Sequence, residues 1–101
     1  MGGEVSITVI GIFKVKDRLD FEDYRSKVGA TIQLYGGTVV RRGSCDIPFW
    51  NQLNAQEFDT FVELTFPTIE DAKRWANSSE YGDLLPVRNR AMQLTLFVVT
   101  T

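Results

Sequence analysis

Two stretches constrain what this chain can fold into more than any other: residues 5–15 (VSITVIGIFKV) and 92–100 (MQLTLFVVT). Both are rich in β-branched residues, and both are apolar on each parity. Ile7 and Val9 alternate with Ile10 and Ile12, and Leu94 and Leu96 with Phe97 and Val99. A strand sends successive side chains to opposite faces, so each of these strands needs cover on both sides.

The residues between them supply helices for one side. Asp20 reads as an N-cap, with Glu22 and Asp23 in the first turn, where the helix dipole favours anions. Phe21, Tyr24, Val28, Thr31, Ile32 and Tyr35 follow at steps of three and four, one apolar stripe on a helix. Gly36-Gly37 stops it, because glycine takes the left-handed C-cap conformation cheaply.

Residues 38–45 (TVVRRGSC) read as a second strand, and residues 46–56, aperiodic and holding Pro, Asn and Asp, as a loop. Residues 58–66 alternate as a third strand. Thr68 caps a second helix with apolar face Ile69, Ala72, Trp75 and Ala76. Ser79 caps a short helical stretch to Leu85, and Pro86 marks a break or a new first turn.

The order is β-α-β-β-α-β with extra helix before the last strand. The simplest arrangement is an α+β, ferredoxin-like sandwich: a four-stranded antiparallel sheet with helices on one face. The second apolar sheet face then remains, and in a chain of 101 residues its simplest cover is another copy, sheet to sheet. A homodimer of single-domain subunits, each spanning residues 1–101, is expected.

Composition enters by what it excludes. There is no histidine, so no Ser-His-Asp triad, Cys-His pair, His-ligated zinc or proximal haem ligand. One cysteine, Cys45, excludes an intrachain disulfide and any CxxC motif; without a histidine to activate it, it reads as a small apolar residue. Neither a metal nor another cofactor is implied. The formal charge of -2 is unlike the basic balance of proteins that hold nucleic acid or anionic membranes. No apolar run reaches the ~20 residues of a membrane span, and no signal segment is evident, so a cytoplasmic location is expected. Met1-Gly2-Gly3-Glu4-Val5-Ser6 formally matches a myristoylation pattern, against which stands a plain glycine leader.

RNA-recognition domains share the same element order, but their third strand carries a basic-Gly-aromatic pattern. Here that strand reads Glu57-Phe58-Asp59-Thr60-Phe61-Val62-Glu63-Leu64, with acids on the side the stacking rings would need. Nucleic acid is rejected as a partner.

Several spacings resemble a known family. Tyr24, Val28, Thr31-Ile32, Tyr35-Gly36-Gly37 and Val40-Arg41-Arg42-Gly43 are similar to the first half of the domain of unknown function 1330 family. Phe66-Pro67-Thr68, Ala72, Trp75, Ser78, Glu80-Tyr81 and Arg88 resemble its second half. The resemblance implies the dimeric α/β-barrel superfamily, in which ferredoxin-like subunits pack sheet to sheet. That superfamily includes cofactor-independent monooxygenases, haem-handling proteins, isomerases and stress-response barrels; the family itself brings no established reaction. Thr65 stands where the family usually has Glu, and Ala76 where it has a second aromatic.

Candidate ligand-binding residues are Arg88, Arg42, Tyr81, Trp75 and Tyr24. Arg88 would clamp an anion, since guanidinium matches a carboxylate geometrically; otherwise it and Arg90 are helix-end charges or partners of Glu80 and Asp83. Arg41 and Arg42, adjacent on a strand, point to opposite faces; the resemblance favours Arg42 as the inward one. The bland reading is an edge-strand charge that blocks aggregation. Tyr24, Trp75 and Tyr81 would line an aromatic pocket with polar tips, or be core at helical spacing. Asp59 and Glu63 share a strand parity and read either as an acid/base pair or as a solvated face. Phe49 and Trp50 in the loop are expected at the dimer interface.

Three functions follow. The first is a homodimer binding a small polar or anionic organic ligand between sheet and helices. The second is a cofactor-independent monooxygenase- or isomerase-like enzyme. The third is an assembly module with no enclosed pocket.

Overall fold

A computed structural model describes residues 6–101. The myristoylation pattern and the first residue of the expected first strand, Val5, lie in the segment outside them.

The chain runs β1 (Ile7–Val15), α1 (Arg18–Leu34), β2 (Thr38–Ser44), β3 (Thr60–Phe66), α2 (Ile69–Ala76), α3 (Ser79–Gly82), α4 (Leu85–Ala91), β4 (Met92–Val99). The strands form an antiparallel sheet in the order β2-β3-β1-β4. The doubly apolar β1 is internal, as its composition requires, whereas the equally apolar β4 is an edge. This is the expected ferredoxin-like α+β arrangement.

Three boundaries differ from the sequence reading. α1 starts earlier, because Asp17 and not Asp20 is its N-cap: the Asp17 carboxylate accepts from the Asp20 N–H at 2.9 Å. Ser78, not Ser79, caps α3, its hydroxyl accepting from the Tyr81 N–H at 3.1 Å. β3 begins at Thr60, two residues later than expected, and the Asp59 carboxylate just before it accepts from the Val15 N–H at 3.2 Å. Thr68 caps α2 as expected, and Pro86 lies in the first turn of a separate α4.

The core lies between the helices and one sheet face. It contains Ile7, Val9, Phe13, Leu64, Phe66 and Met92 from the strands, met by Phe21, Tyr24, Val28 and Ile32 of α1, then Trp75, Tyr81 and Val87. Gly37, just after α1, lets the chain pass over this core. A Cβ there would lie 2.5 Å from Cε1 of Phe66 and 2.7 Å from Cγ2 of Ile32.

The pairing register fixes what lies on the opposite face. Ile10 pairs with Glu63 and Phe97, Ile12 with Phe61 and Thr95, and Thr8 with Thr65 and Val99. Phe97 is 46% exposed. Among the described residues nothing packs over this face, so it presents Ile10, Ile12, Phe61, Phe97 and Val99 as one apolar surface. Arg41 spans its β2 side, with its Nε 2.7 Å from a Glu63 carboxylate oxygen.

Candidate functional site

The site is built where the sheet and helices fail to close completely. A cavity of about 60 Å³ lies between them, walled by Val28 and Ile32 of α1, by Val62 and Leu64 of β3 and by Leu94 and Leu96 of β4. Tyr24, Trp75, Tyr81 and Arg42 also belong to its lining. At ~10–15 Å³ for one probe sphere, this is room for a few water-sized groups. Its walls are overwhelmingly apolar, so a fitting group is itself mostly apolar.

The polar part of the wall is a tyrosine pair. Tyr24 and Tyr81 come from helices 57 residues apart in sequence, and their hydroxyls lie 2.9 Å apart, buried. Their rings meet edge to face at 6.4 Å, a favourable quadrupole geometry. Arg88, half-buried on α4, donates from Nη1 to the Tyr81 hydroxyl at 3.1 Å and holds its guanidinium 5.7 Å from that ring. Burial, then the neighbouring phenol, pushes the Tyr24 pKa far above its ordinary value, so both Tyr24 and its proton stay in place at any physiological pH.

Counting protons is informative. The Tyr81 oxygen accepts from Arg88, and the bond between the two phenols uses one O–H. The pair has two O–H groups, so one proton has no acceptor among the described residues. It is free to donate to an oxygen lodged in the cavity.

Trp75 holds the wall in position. Its indole N–H donates to the Thr31 hydroxyl at 3.0 Å, which donates in turn to the Val28 carbonyl at 2.7 Å. Its ring packs on Tyr81 at 4.5 Å and on Phe66 at 5.5 Å.

Arg42 reaches this side of the sheet because of a β-bulge. Val39 pairs with Leu64, but Arg41 pairs with Glu63, leaving Val40 unpaired. In an unbroken ladder Arg41 would share the inner face with Val39. The extra residue reverses the parity and aims Arg42, paired with Val62, at the cavity. Arg41 goes to the opposite face.

The other candidates separate. Arg90 lies 3.5 Å from the Asp20 carboxylate, a structural pairing. Glu80 accepts from the Tyr35 hydroxyl at 2.9 Å, not from Tyr81. Asp59 and Glu63 do not form an acid/base pair: Asp59 accepts from the Val15 N–H and Thr60 hydroxyl, and Glu63 binds Arg41. Burial, then the Asp59 carboxylate, pushes the half-buried Cys45 thiol up, which keeps it protonated and unreactive. Phe49 and Trp50, 95% and 82% exposed, lie together in the loop between β2 and β3, remote from the cavity lining.

Sequence reasoning missed Arg18, Arg25 and Thr60. A recess of about 480 Å³ adjoins the cavity and shares Phe21, Arg25, Arg42 and Thr60 with it; Arg18, Cys45 and Asp59 are among its other walls. The signal was present: Arg18, Phe21 and Arg25 stand at i, i+3 and i+7, along the edge of the apolar stripe of α1.

Comparison with known proteins agrees with this architecture. The family described as "Domain of unknown function (DUF1330)" matches residues 7–101. A protein of unknown function from Rhodopseudomonas palustris has a similar structure at 14% identity and a TM-score of 0.78, covering 98% of this chain and 84% of its own. SnoaB, a cofactor-independent oxygenase from Streptomyces nogalater, is similar at 11% identity and a TM-score of 0.67, over 96% of this chain and 93% of its own. A dimeric protein of unknown function with a ferredoxin-like fold, from Bacteroides fragilis, is similar at 11% identity and a TM-score of 0.56, over 95% and 96%. At these identities the likeness concerns the fold. No curated protein matches the sequence. No helix among the described residues is long and apolar enough to cross a membrane.

Proposed function

This chain belongs to the domain of unknown function 1330 family, and we propose that it is a homodimer binding a small organic ligand in the cavity between sheet and helices. The observation that carries the reading is the Arg88–Tyr81–Tyr24 chain, which leaves one phenolic proton over in an apolar wall. A spare donor in an apolar wall suits an oxygen of a bound molecule. Tyr24 and Tyr81 contact the ligand, Trp75 holds Tyr81 in place, and Arg42 meets the ligand from β2. Arg88 is a positioning residue, acting through the Tyr81 hydroxyl. A cavity between sheet and helices argues against the assembly-module function.

The dimer reading rests on the open apolar face of Ile10, Ile12, Phe61, Phe97 and Val99. The structurally similar Bacteroides fragilis protein is described as dimeric, which supports it. The exposed Phe49 and Trp50 supply a second surface for the partner.

Native mass spectrometry of the purified protein tests both halves. The expected result is a two-subunit ion that retains a small-molecule mass, with that mass lost in Arg88→Ala while far-UV circular dichroism is unchanged. A subunit that stays monomeric at micromolar concentration overturns the dimer. A retained mass indifferent to both Arg88→Ala and Tyr81→Phe overturns the assignment of the site.

One observation favours a second reading, that of a cofactor-independent oxygenase or isomerase. The likeness to SnoaB is joined here by a phenolic donor in a low-dielectric cavity, where it would stabilise the oxygen of an enolate. That reading requires turnover of an enolisable substrate, with no imidazole limb near pH 6–7 in its rate profile.

A further inference from the structure

We infer that the ligand is a carboxylate with a compact, mostly apolar body that carries one further oxygen: the body enters the cavity, where that oxygen meets the spare phenolic proton of the Tyr24–Tyr81 pair, and the head stays in the neighbouring recess among Arg18, Arg25 and Arg42. The inference rests on the cavity reading above and goes beyond it by naming the class of ligand and two further residues.

The two spaces share Phe21, Arg25, Arg42 and Thr60 as common walls. Their chemistry differs sharply. The inner cavity is walled by valine, leucine, isoleucine and aromatic rings. The recess carries three guanidinium groups, two from α1 and one from the strand that the bulge turns inward. Arg18 and Arg42 have no carboxylate partner among the described residues. Arg25 has only a loose, exposed contact with Glu22 at 3.5 Å. The one acid in the recess, Asp59, is occupied by the Val15 N–H and the Thr60 hydroxyl. Three arginines round one acid leave a local positive excess in a chain whose net charge is -2.

Guanidinium pairs with a carboxylate through two parallel N–H···O bonds. The cavity's small volume limits the buried part to a few carbon atoms. A short branched acid with one carbonyl oxygen on its body meets both conditions and supplies an acceptor for the phenolic proton.

The probes are 5-methyl-4-oxohexanoate, whose ketone supplies the acceptor oxygen, and its uncharged amide, titrated into the full chain by ligand-observed NMR. The expected result is saturable binding of the carboxylate at least about tenfold tighter than the amide. Arg42→Gln and Arg25→Gln each weaken the carboxylate about tenfold and leave the amide unchanged, and added salt weakens only the carboxylate. Equal binding of the two probes overturns the inference and leaves the cavity reading standing. So does an Arg42→Gln variant that weakens both equally. Binding of neither probe at millimolar concentration overturns the two together.

Discussion

Replacing Tyr81 with phenylalanine deletes one oxygen and deprives two neighbours of a partner. The Tyr24 hydroxyl, buried and 2.9 Å away, has no other partner among the described residues, and leaving it unsatisfied costs about 1–3 kcal/mol. Arg88 loses its acceptor at 3.1 Å, but its guanidinium is partly exposed and regains water at little cost. The total is about 2–3 kcal/mol, or roughly 10–20 °C in Tm at ~4–8 °C per kcal/mol for a domain of this size. Tyr24→Phe is milder, at about 1 kcal/mol, because the Tyr81 oxygen keeps Arg88. The double variant leaves no orphaned phenol, so it costs about 2 kcal/mol, roughly 1–2 less than the sum of the singles. Urea unfolding of the four proteins at one fixed concentration reads this cycle. Single-variant costs that add to within ~0.5 kcal/mol would refute the linked network, since independent sites add to about that tolerance.

Further outcomes follow from the same geometry. The folded chain holds the Tyr24 proton to higher pH than the unfolded chain, whose ordinary value is 10.0, so stability is complete below that pH and falls above it. The slope reaches about 1.4 kcal/mol per pH unit for this phenol, and alkaline unfolding curves should flatten in Tyr24→Phe. Gly37→Ala should cost about 1–3 kcal/mol in a thermal melt, because Phe66 and Ile32 would have to yield to the new methyl. Arg41→Ala should cost under ~1 kcal/mol in the isolated subunit, since the Arg41 side chain itself is largely exposed. Phe97→Asp puts a charge on the open sheet face and should convert a dimer to a monomer in light scattering, with the circular dichroism of the subunit retained.

How much of this was legible in the sequence depended on whether local periodicity or distant packing decided it. β1 showed its internal position through apolar residues on both parities, and α1 its buried stripe through steps of three and four. The start of α1 was ambiguous because Asp17 and Asp20 are both competent caps, and only the turn geometry chooses between them. The bulge at Val40 leaves no composition signal, so which arginine turns inward could not be read from strand parity. Tyr24 and Tyr81 were candidates separately. Their meeting depends on how α1 packs against α3, which local pattern does not encode. Arg18 and Arg25 were legible on the helix edge, but arginines there ordinarily read as solvated surface; the recess beside them gives them a role.

The central claim is that the cavity between sheet and helices receives a ligand. Methyl-resolved NMR of the labelled protein during a 5-methyl-4-oxohexanoate titration tests it most directly. The account predicts saturable shifts at Val62, Leu64, Leu94 and Leu96, which wall the cavity, with Ile10, Ile12 and Val99 on the opposite face unmoved. Unshifted cavity methyls at saturating ligand, or shifts confined to the opposite face, would contradict it.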